Sequence, residues 1–245
     1  MTFSRKTVLI TGAGSGIGRG IAIAFGSSGA SLILVGRRKL ELEETAELVT
    51  KTAKSIIIKT VDVTDEVAIS NLFISIDAID IAINAAGIVV AGTIDELDSA
   101  SFTKVFNTNV FGLWHCLKHE ICSMKQSGGV IINIGSNVGA KLVRPGMGAY
   151  AASKAAVSSL TRTAALEAIQ YGIRVNCICP GPVDTPLSYR AGEDRMARDA
   201  RIATTNPSKR VASIEEIANA AVWLASENTS YIVGQDIILD GGASI

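Results

Sequence analysis

No stretch of this sequence stays apolar for the roughly 18 residues that a membrane-spanning helix needs. No charge predominates either, since lysine plus arginine and aspartate plus glutamate number 23 each. The first absence speaks against a membrane partner. The second removes the long-range attraction that draws a chain to nucleic acid or to an anionic lipid surface. Histidine is scarce. His115 and His119 share one face of a helical pattern, but no third histidine exists and Glu120 points to another side, so no metal is expected. The four cysteines show no metal or redox spacing. Cys177 and Cys179 fall on one face of a strand in "RVNCICPG", which predicts buried thiols and a reducing cytoplasm. The opening "MTFSRKTVLITG" has a short apolar run that stops at a glycine, unlike a targeting leader. With five prolines, no repeat and no linker-like composition, residues 1–245 read as one domain.

What is present is alternation. The runs 7–11, 31–35, 55–60, 79–84, 129–134, 173–178 and 235–240 are short, β-branched and mostly apolar on both faces. Strands of a parallel sheet covered by helices on both sides look like this. Between them, 17–28, 38–53, 65–76, 98–126, 150–170 and 214–226 carry helical periodicity. Alternating β and α over the whole length predicts an α/β, doubly wound Rossmann sheet, parallel and seven-stranded. Residues 181–210 break the rhythm. They hold six basic and four acidic residues and no strand pattern, and read as a substrate lobe or lid beyond the carboxyl end of the sheet.

Between the first strand and the first helix stands "LITGAGSGIGRGIA", with glycines at 12, 14, 16 and 18. The spacing does not fit G-x-G-x-x-G, but the position suits a pyrophosphate: backbone amides and the positive helix end face the anion. Further on, "YAASK" sets Tyr150 and Lys154 one helical turn apart on one face. Tyrosine's ordinary pKa is about 10, leaving ~0.1% phenolate at pH 7, and a nearby cation lowers that value. The pair is therefore expected to be an acid/base group tuned towards neutral pH.

"TGAGSGIG" and "YAASK" together resemble the short-chain dehydrogenase/reductase family, including its ketoacyl-acyl-carrier-protein reductases, over the whole chain. That resemblance implies a cofactor site formed by Gly12, Ser15, Gly16, Ile17 and Gly18, with Asp62 and Val63 near the adenine. It adds Asn84, Ala85 and Gly87 beside the ribose, and Pro180, Gly181, Val183 and Thr185 near the nicotinamide. "LDGG" at 239–242 matches the usual close of the chain. The resemblance further implies a catalytic set: Ser136 on the substrate oxygen, Tyr150 as proton donor and acceptor, Lys154 on the nicotinamide ribose, and Asn109 in a kinked helix holding a water against the lysine. Ser127 and Tyr171 stand where carrier-protein-dependent members tend to be basic, which weighs against that substrate.

In the Rossmann arrangement an acidic residue ending the second strand binds the ribose diol of NAD. Here that position is Gly36, followed by Arg37 and Arg38, which favours NADP(H). Ser15 points the other way, because many NADP-dependent relatives are basic there, so NAD(H) stays open. The expected activity is hydride transfer between NADP(H) and a carbonyl or secondary alcohol. Two alternatives are an NAD-dependent alcohol or polyol dehydrogenase and a catalytically silent, dinucleotide-sensing regulator. Ala151, Ala155, Ser158 and Ser159 leave a bare face opposite which Phe106, Phe111 and Trp114 can pack, and the resemblance implies a homodimer or homotetramer through these helices.

Overall fold

The computed structural model describes residues 2–190 and 192–245. Its β-branched runs form β1 (Thr7–Thr11), β2 (Ser31–Gly36), β3 (Ser55–Thr60), β4 (Ile81–Asn84), β5 (Gly129–Ile134), β6 (Ile173–Pro180) and β7 (Asp236–Leu239). All pairings are parallel, in the order β3-β2-β1-β4-β5-β6-β7. This is the doubly wound sheet expected from the alternation. The order reverses between β1 and β4, and a crevice opens there at the carboxyl ends of the strands.

Apolar residues on both sides of each strand give two cores. Val8 and Ile10 of β1 face α1 (Gly16–Ser27), α2 (Lys39–Val49) and α9 (Ile214–Ala225), meeting Ile21, Phe25, Leu42 and Ile217. Leu9 points the other way, where α3 (Glu66–Ile74), α5 (Gly112–Met124) and α7 (Gly148–Ala168) supply Ile69, Leu113 and Val157. Burying each such side chain contributes about 1.5–3 kcal/mol, so the central strands are held from both faces.

Helix starts are fixed by side chains. Asp65 and Asp98 each accept a backbone N–H of the first turn, in α3 and in α4 (Ser99–Phe106). Ser213 and Glu216 form a reciprocal capping box on α9. Helices α1, α2 and α7 start without a side-chain capping bond, and of these α1 opens on the glycine turn. Ser15 makes no capping bond and the first turn has no acid, so the amides facing the crevice remain open donors.

One sequence expectation needs correction. The pattern 98–126 is not one helix: α4 and α5 are separated by a π turn at Asn107–Phe111. The break has a cause. The Asn109 amide is tied to Ile88, and a Cβ on Gly112 would sit 2.6 Å from Val63 Cγ2, so the backbone bends in against two distant loops. The segment 181–210, read as a lobe without strand pattern, contains α8 (Arg195–Thr205), capped by Asp194 onto the Ala197 amide.

Candidate functional site

A cleft of about 690 Å³ runs across the carboxyl ends of the strands. One end is the turn after β1. There Gly12 has φ +67°, and a Cβ on it would lie 2.8 Å from the Ala86 nitrogen, so only glycine lets β1 turn this close to the segment after β4. A Cβ on Gly18 would meet the Gly12 carbonyl. Gly16, at φ +51°, faces Thr185 across the crevice. The turn and the open first turn of α1 thus form a bare, donor-lined cradle of the kind a pyrophosphate fills. This chain fits a dinucleotide there. Arg19, which sequence reasoning missed, braces the cradle by donating to the Gly14 carbonyl (2.5 Å), the Glu41 carbonyl (3.1 Å) and Thr45 Oγ1 (3.0 Å).

The rim beyond β2 carries Arg37 and Arg38. Arg37 pairs with Asp62 at 3.5 Å, and both are well exposed. Burial acts to raise the Asp62 carboxyl, but hydrogen bonds from Thr64 and the Arg37 charge outweigh it and hold it below its ordinary value. Arg38 reaches Glu41 (3.2 Å) and Ser15 Oγ (3.5 Å), so its guanidinium hangs over the glycine turn.

At the other end stand Ser136, Tyr150 and Lys154. Ser136 follows β5 and opens α6 (Asn137–Ala140), a short kinked turn, with its Oγ accepting the Val138 N–H at 3.1 Å. The loop behind it is pinned by Asp240, which accepts from Asn137 Nδ2 at 3.2 Å, while the Asp240 carbonyl accepts from Asn206 Nδ2 at 2.9 Å. Asp240 therefore ties the Ser136 loop to the end of α8, a positioning role within the "LDGG" motif that sequence reasoning did not assign.

Lys154 is buried, with Nζ donating to the Ile134 carbonyl at 2.8 Å and lying 5.8 Å from the centre of the Tyr150 ring. The expected lowering of the phenol pKa is not what this arrangement gives. Burial pushes Tyr150 up, against a smaller downward pull from Ser136, and burial pulls Lys154 down. The reason is that both charged forms lose hydration while the ammonium is aimed at a carbonyl of β5 rather than at the phenol oxygen.

Every residue expected at the cofactor or catalytic site lines this cleft except two. Asn84 and Asn109 border a smaller cavity behind Lys154. Asn109 accepts from the Ile88 amide (2.8 Å) and donates to the Ile88 carbonyl (2.9 Å) and Ser153 Oγ (3.0 Å). Asn84 turns inward, because β4–β5 register sets it beside Asn133. Ile88, Thr108, Leu187 and Ser188 line the cleft as well and carry no motif that would have marked them.

The groups expected to be uninvolved are placed elsewhere. His115 Nδ1 bonds the Val63 carbonyl at 3.0 Å, and His119 stacks on Phe73. Cys177 and Cys179 are buried with sulfurs 3.6 Å apart, and their mutual contact together with burial pushes the Cys177 thiol up.

Comparison with known proteins identifies the family. The family model described as enoyl-(acyl carrier protein) reductase matches residues 12–244. Dehydrogenase/reductase SDR family member 6 of Xenopus laevis is 35% identical over 98% of this chain and 98% of its own length. A 3beta-hydroxysteroid dehydrogenase of Mediterraneibacter gnavus is 34% identical, covering 98% of this chain and 95% of that protein. Among solved structures, levodione reductase superposes with a TM-score of 0.93 at 32% identity, over 100% of this chain and 99% of that one. The chain belongs to the short-chain dehydrogenase/reductase family. It is an oxidoreductase acting on CH–OH groups of donors. No helix among the described residues is long and apolar enough to cross a membrane.

Proposed function

We propose that this enzyme interconverts a carbonyl and a secondary alcohol with NADP(H), using Ser136, Tyr150, Lys154 and Asn109. The observation that carries the reading is convergence. Ser136 and Tyr150 line the same cleft as the glycine cradle, with Arg37 and Arg38 on its rim. A nicotinamide bound along that cleft supplies or receives the hydride. Tyr150, kept protonated at neutral pH by burial, donates its proton to the carbonyl oxygen in reduction and removes it in oxidation. Ser136 offers a hydrogen bond to the same oxygen as charge develops there. Lys154, held by the Ile134 carbonyl, has N–H groups to spare for the ribose hydroxyls. Asn109 fixes Ile88 and Ser153 around it.

Glu41, next to Arg38, and Asp62, next to Arg37, leave both guanidiniums on the rim where a 2′-phosphate would come. NAD(H) is the second reading, favoured by the fact that Arg37 already has a carboxylate partner. Consumption of NADPH and NADH, followed by absorbance with ketones, aldehydes and keto acids, tests the proposal. Faster use of NADPH with at least one carbonyl is expected, and no turnover of either cofactor with any of them would contradict it.

We propose further that 181–210 is the substrate lobe of a single domain. Arg198 is fully buried and anchors α8 to Asp184 (2.5 Å) and Ser188 Oγ (3.1 Å), with Asp199 of the same helix at 2.7 Å and the Tyr189 ring 4.5 Å away. Asp184 directly precedes Thr185, so this latch connects the lobe to the wall of the cleft. Arg198→Met should cost the lobe about 1–3 kcal/mol of local stability. Limited proteolysis should then cut within 181–210 faster than in the wild type, and cofactor plus substrate should slow both. Equal rates for the two proteins would show that the latch holds nothing.

We also propose a homodimer or homotetramer in a reducing cytoplasm. Ala151 and Ser158 pack inside the chain, but Ala155 and Ser159 are exposed, and Phe111 and Trp114 remain about half-exposed beside them. The free thiols support the compartment.

A further inference from the structure

Behind Lys154 lies a small recess of about 10 Å³, room for one water, walled by Lys154, Asn109, Thr11, Asn84 and Asn133 among others. One wall leads to a carboxyl that the proposed chemistry does not use. Glu120 on α5 is fully buried. Burial raises its pKa to about 8, opposed only by a hydrogen bond from Asn84. Among the described residues it has no ion-pair partner. On its own helix the nearest titratable group is Cys116, whose thiol burial and Glu120 both push up. Strands β4 and β5 face it with the neutral amides of Asn84 and Asn133, and α7 contributes Thr161 and, across the cavity, Lys154. From α3, Glu66 is engaged by Lys118 on the outer surface.

A single hydrogen-bonded row links these groups. Asn84 Nδ2 donates to Glu120 Oε2 (2.9 Å) and Asn133 Oδ1 (3.0 Å), and Asn133 Nδ2 donates to Thr161 Oγ1 (2.9 Å). Thr161 Oγ1 in turn donates to the Val157 carbonyl at 2.8 Å. In this polarity Glu120 is an acceptor, as its carboxylate must be, and Asn84 Oδ1 has no protein partner. The neutral acid has a proton to donate. Turning both amides by half a rotation satisfies it with the heavy atoms in place. Glu120 then donates to Asn84 Oδ1, Asn133 Nδ2 donates to the same oxygen, and the single Thr161 hydroxyl proton moves from the Val157 carbonyl to Asn133 Oδ1. The free end of Asn84 changes from acceptor to donor.

We propose that Glu120 is a positioning residue for the oxidoreduction proposed above, on which this inference rests: its proton sets the orientation of Asn84 and so the hydrogen bonding that a water in the cavity can offer Lys154. With Glu120 ionised, that water donates to Asn84 Oδ1 and accepts from the Lys154 ammonium. With Glu120 neutral, the Asn84 NH₂ competes with Lys154 for the same lone pairs. The ionised state therefore favours the cationic lysine, and with it the phenolate of Tyr150 that alcohol oxidation requires.

Glu120→Gln keeps the hydrogen bonds and removes the titration. Its kcat for alcohol oxidation should match the wild type near pH 6.5 but fall about two- to tenfold short near pH 9, with KM for the cofactor unchanged. Difference infrared spectra should show a protonated carboxyl band in the wild type that disappears with a midpoint near pH 8 and is absent from Glu120→Gln. The side-chain ¹⁵N signal of Asn84 should shift with the same midpoint. These two spectroscopic readings need no turnover, so an inactive protein would count against the proposed reaction without obscuring the fate of Glu120. The inference is overturned by a missing titrating band, by an Asn84 signal indifferent to pH, or by a variant that keeps the full wild-type pH step. Should Glu120→Gln fail to fold, the wild-type infrared band and the pH dependence of the Asn84 signal decide the inference by themselves.

Discussion

Tyr150→Phe should reduce turnover by about 10²–10⁴ while leaving cofactor affinity nearly intact, because general acid/base catalysis is worth about that much. The substitution removes one oxygen and keeps the ring, so α7 and the Lys154–Ile134 contact have no reason to move. Lys154→Ala differs in kind. It removes the proposed ribose donor and a buried ammonium together, so activity and cofactor binding should both fall. The direction of the Tyr150 shift adds a pH signature. Since burial raises the phenol above its ordinary value, the protonated donor persists through neutral pH. Carbonyl reduction should then be flat around pH 7 and decline only towards alkaline pH, while alcohol oxidation rises over the same range. A Tyr150→Phe enzyme that keeps more than about a few per cent of wild-type turnover would remove the phenol from the mechanism.

The second large effect concerns the cofactor. In wild type, kcat/KM should favour NADPH over NADH by about 10–150-fold, the equivalent of one charge-assisted hydrogen bond of roughly 1.5–3 kcal/mol. Gly36→Asp/Arg37→Ile should reverse the preference. A carboxylate at 36 accepts from ribose hydroxyls and repels a 2′-phosphate. Its Cβ fits, with the nearest atom, Leu42 Cδ2, at 3.3 Å on a flexible side chain. Removing Arg37 also frees Asp62 from its 3.5 Å ion pair, adding negative charge to the same rim. Stopped-flow or steady-state comparison of both cofactors in both proteins is the measurement. An NADH preference in wild type, or no swing in the double variant, would contradict the reading of Arg37.

Those features visible in the sequence are the ones governed by local pattern. The apolar runs of the strands show in local periodicity, and the glycines at 12, 16 and 18 in their place between a strand and a helix, although Gly12 and Gly16 act against Ala86 and Thr185 far along the chain. The helix break at Asn107–Phe111 leaves no mark in the periodicity, and only the family resemblance implied a kink at Asn109, because its causes, Ile88 and Val63, lie far off in sequence. Helix α8 was hidden by Arg198. A charged residue on a helix reads as solvent-facing, and only the carboxylates of Asp184 and Asp199 make its burial possible. Spacing put Tyr150 and Lys154 on one face correctly, yet it could not show that β5 would offer the lysine a carbonyl and leave both groups dominated by desolvation. Glu120 was dismissed as pointing away from the histidines. It does so, into the row of amides that strand register brings beside it.

The central claim is hydride transfer from a reduced nicotinamide to a carbonyl carbon, with the proton supplied at Tyr150. It is tested most directly by turnover with NADPH deuterated at the transferring carbon, using the best carbonyl substrate, in wild type and Tyr150→Phe. Mass spectrometry of the alcohol should show one deuterium on the carbinol carbon with wild type and almost no product with the variant. Alcohol formed without the label, or labelled alcohol formed equally fast by Tyr150→Phe, would contradict it.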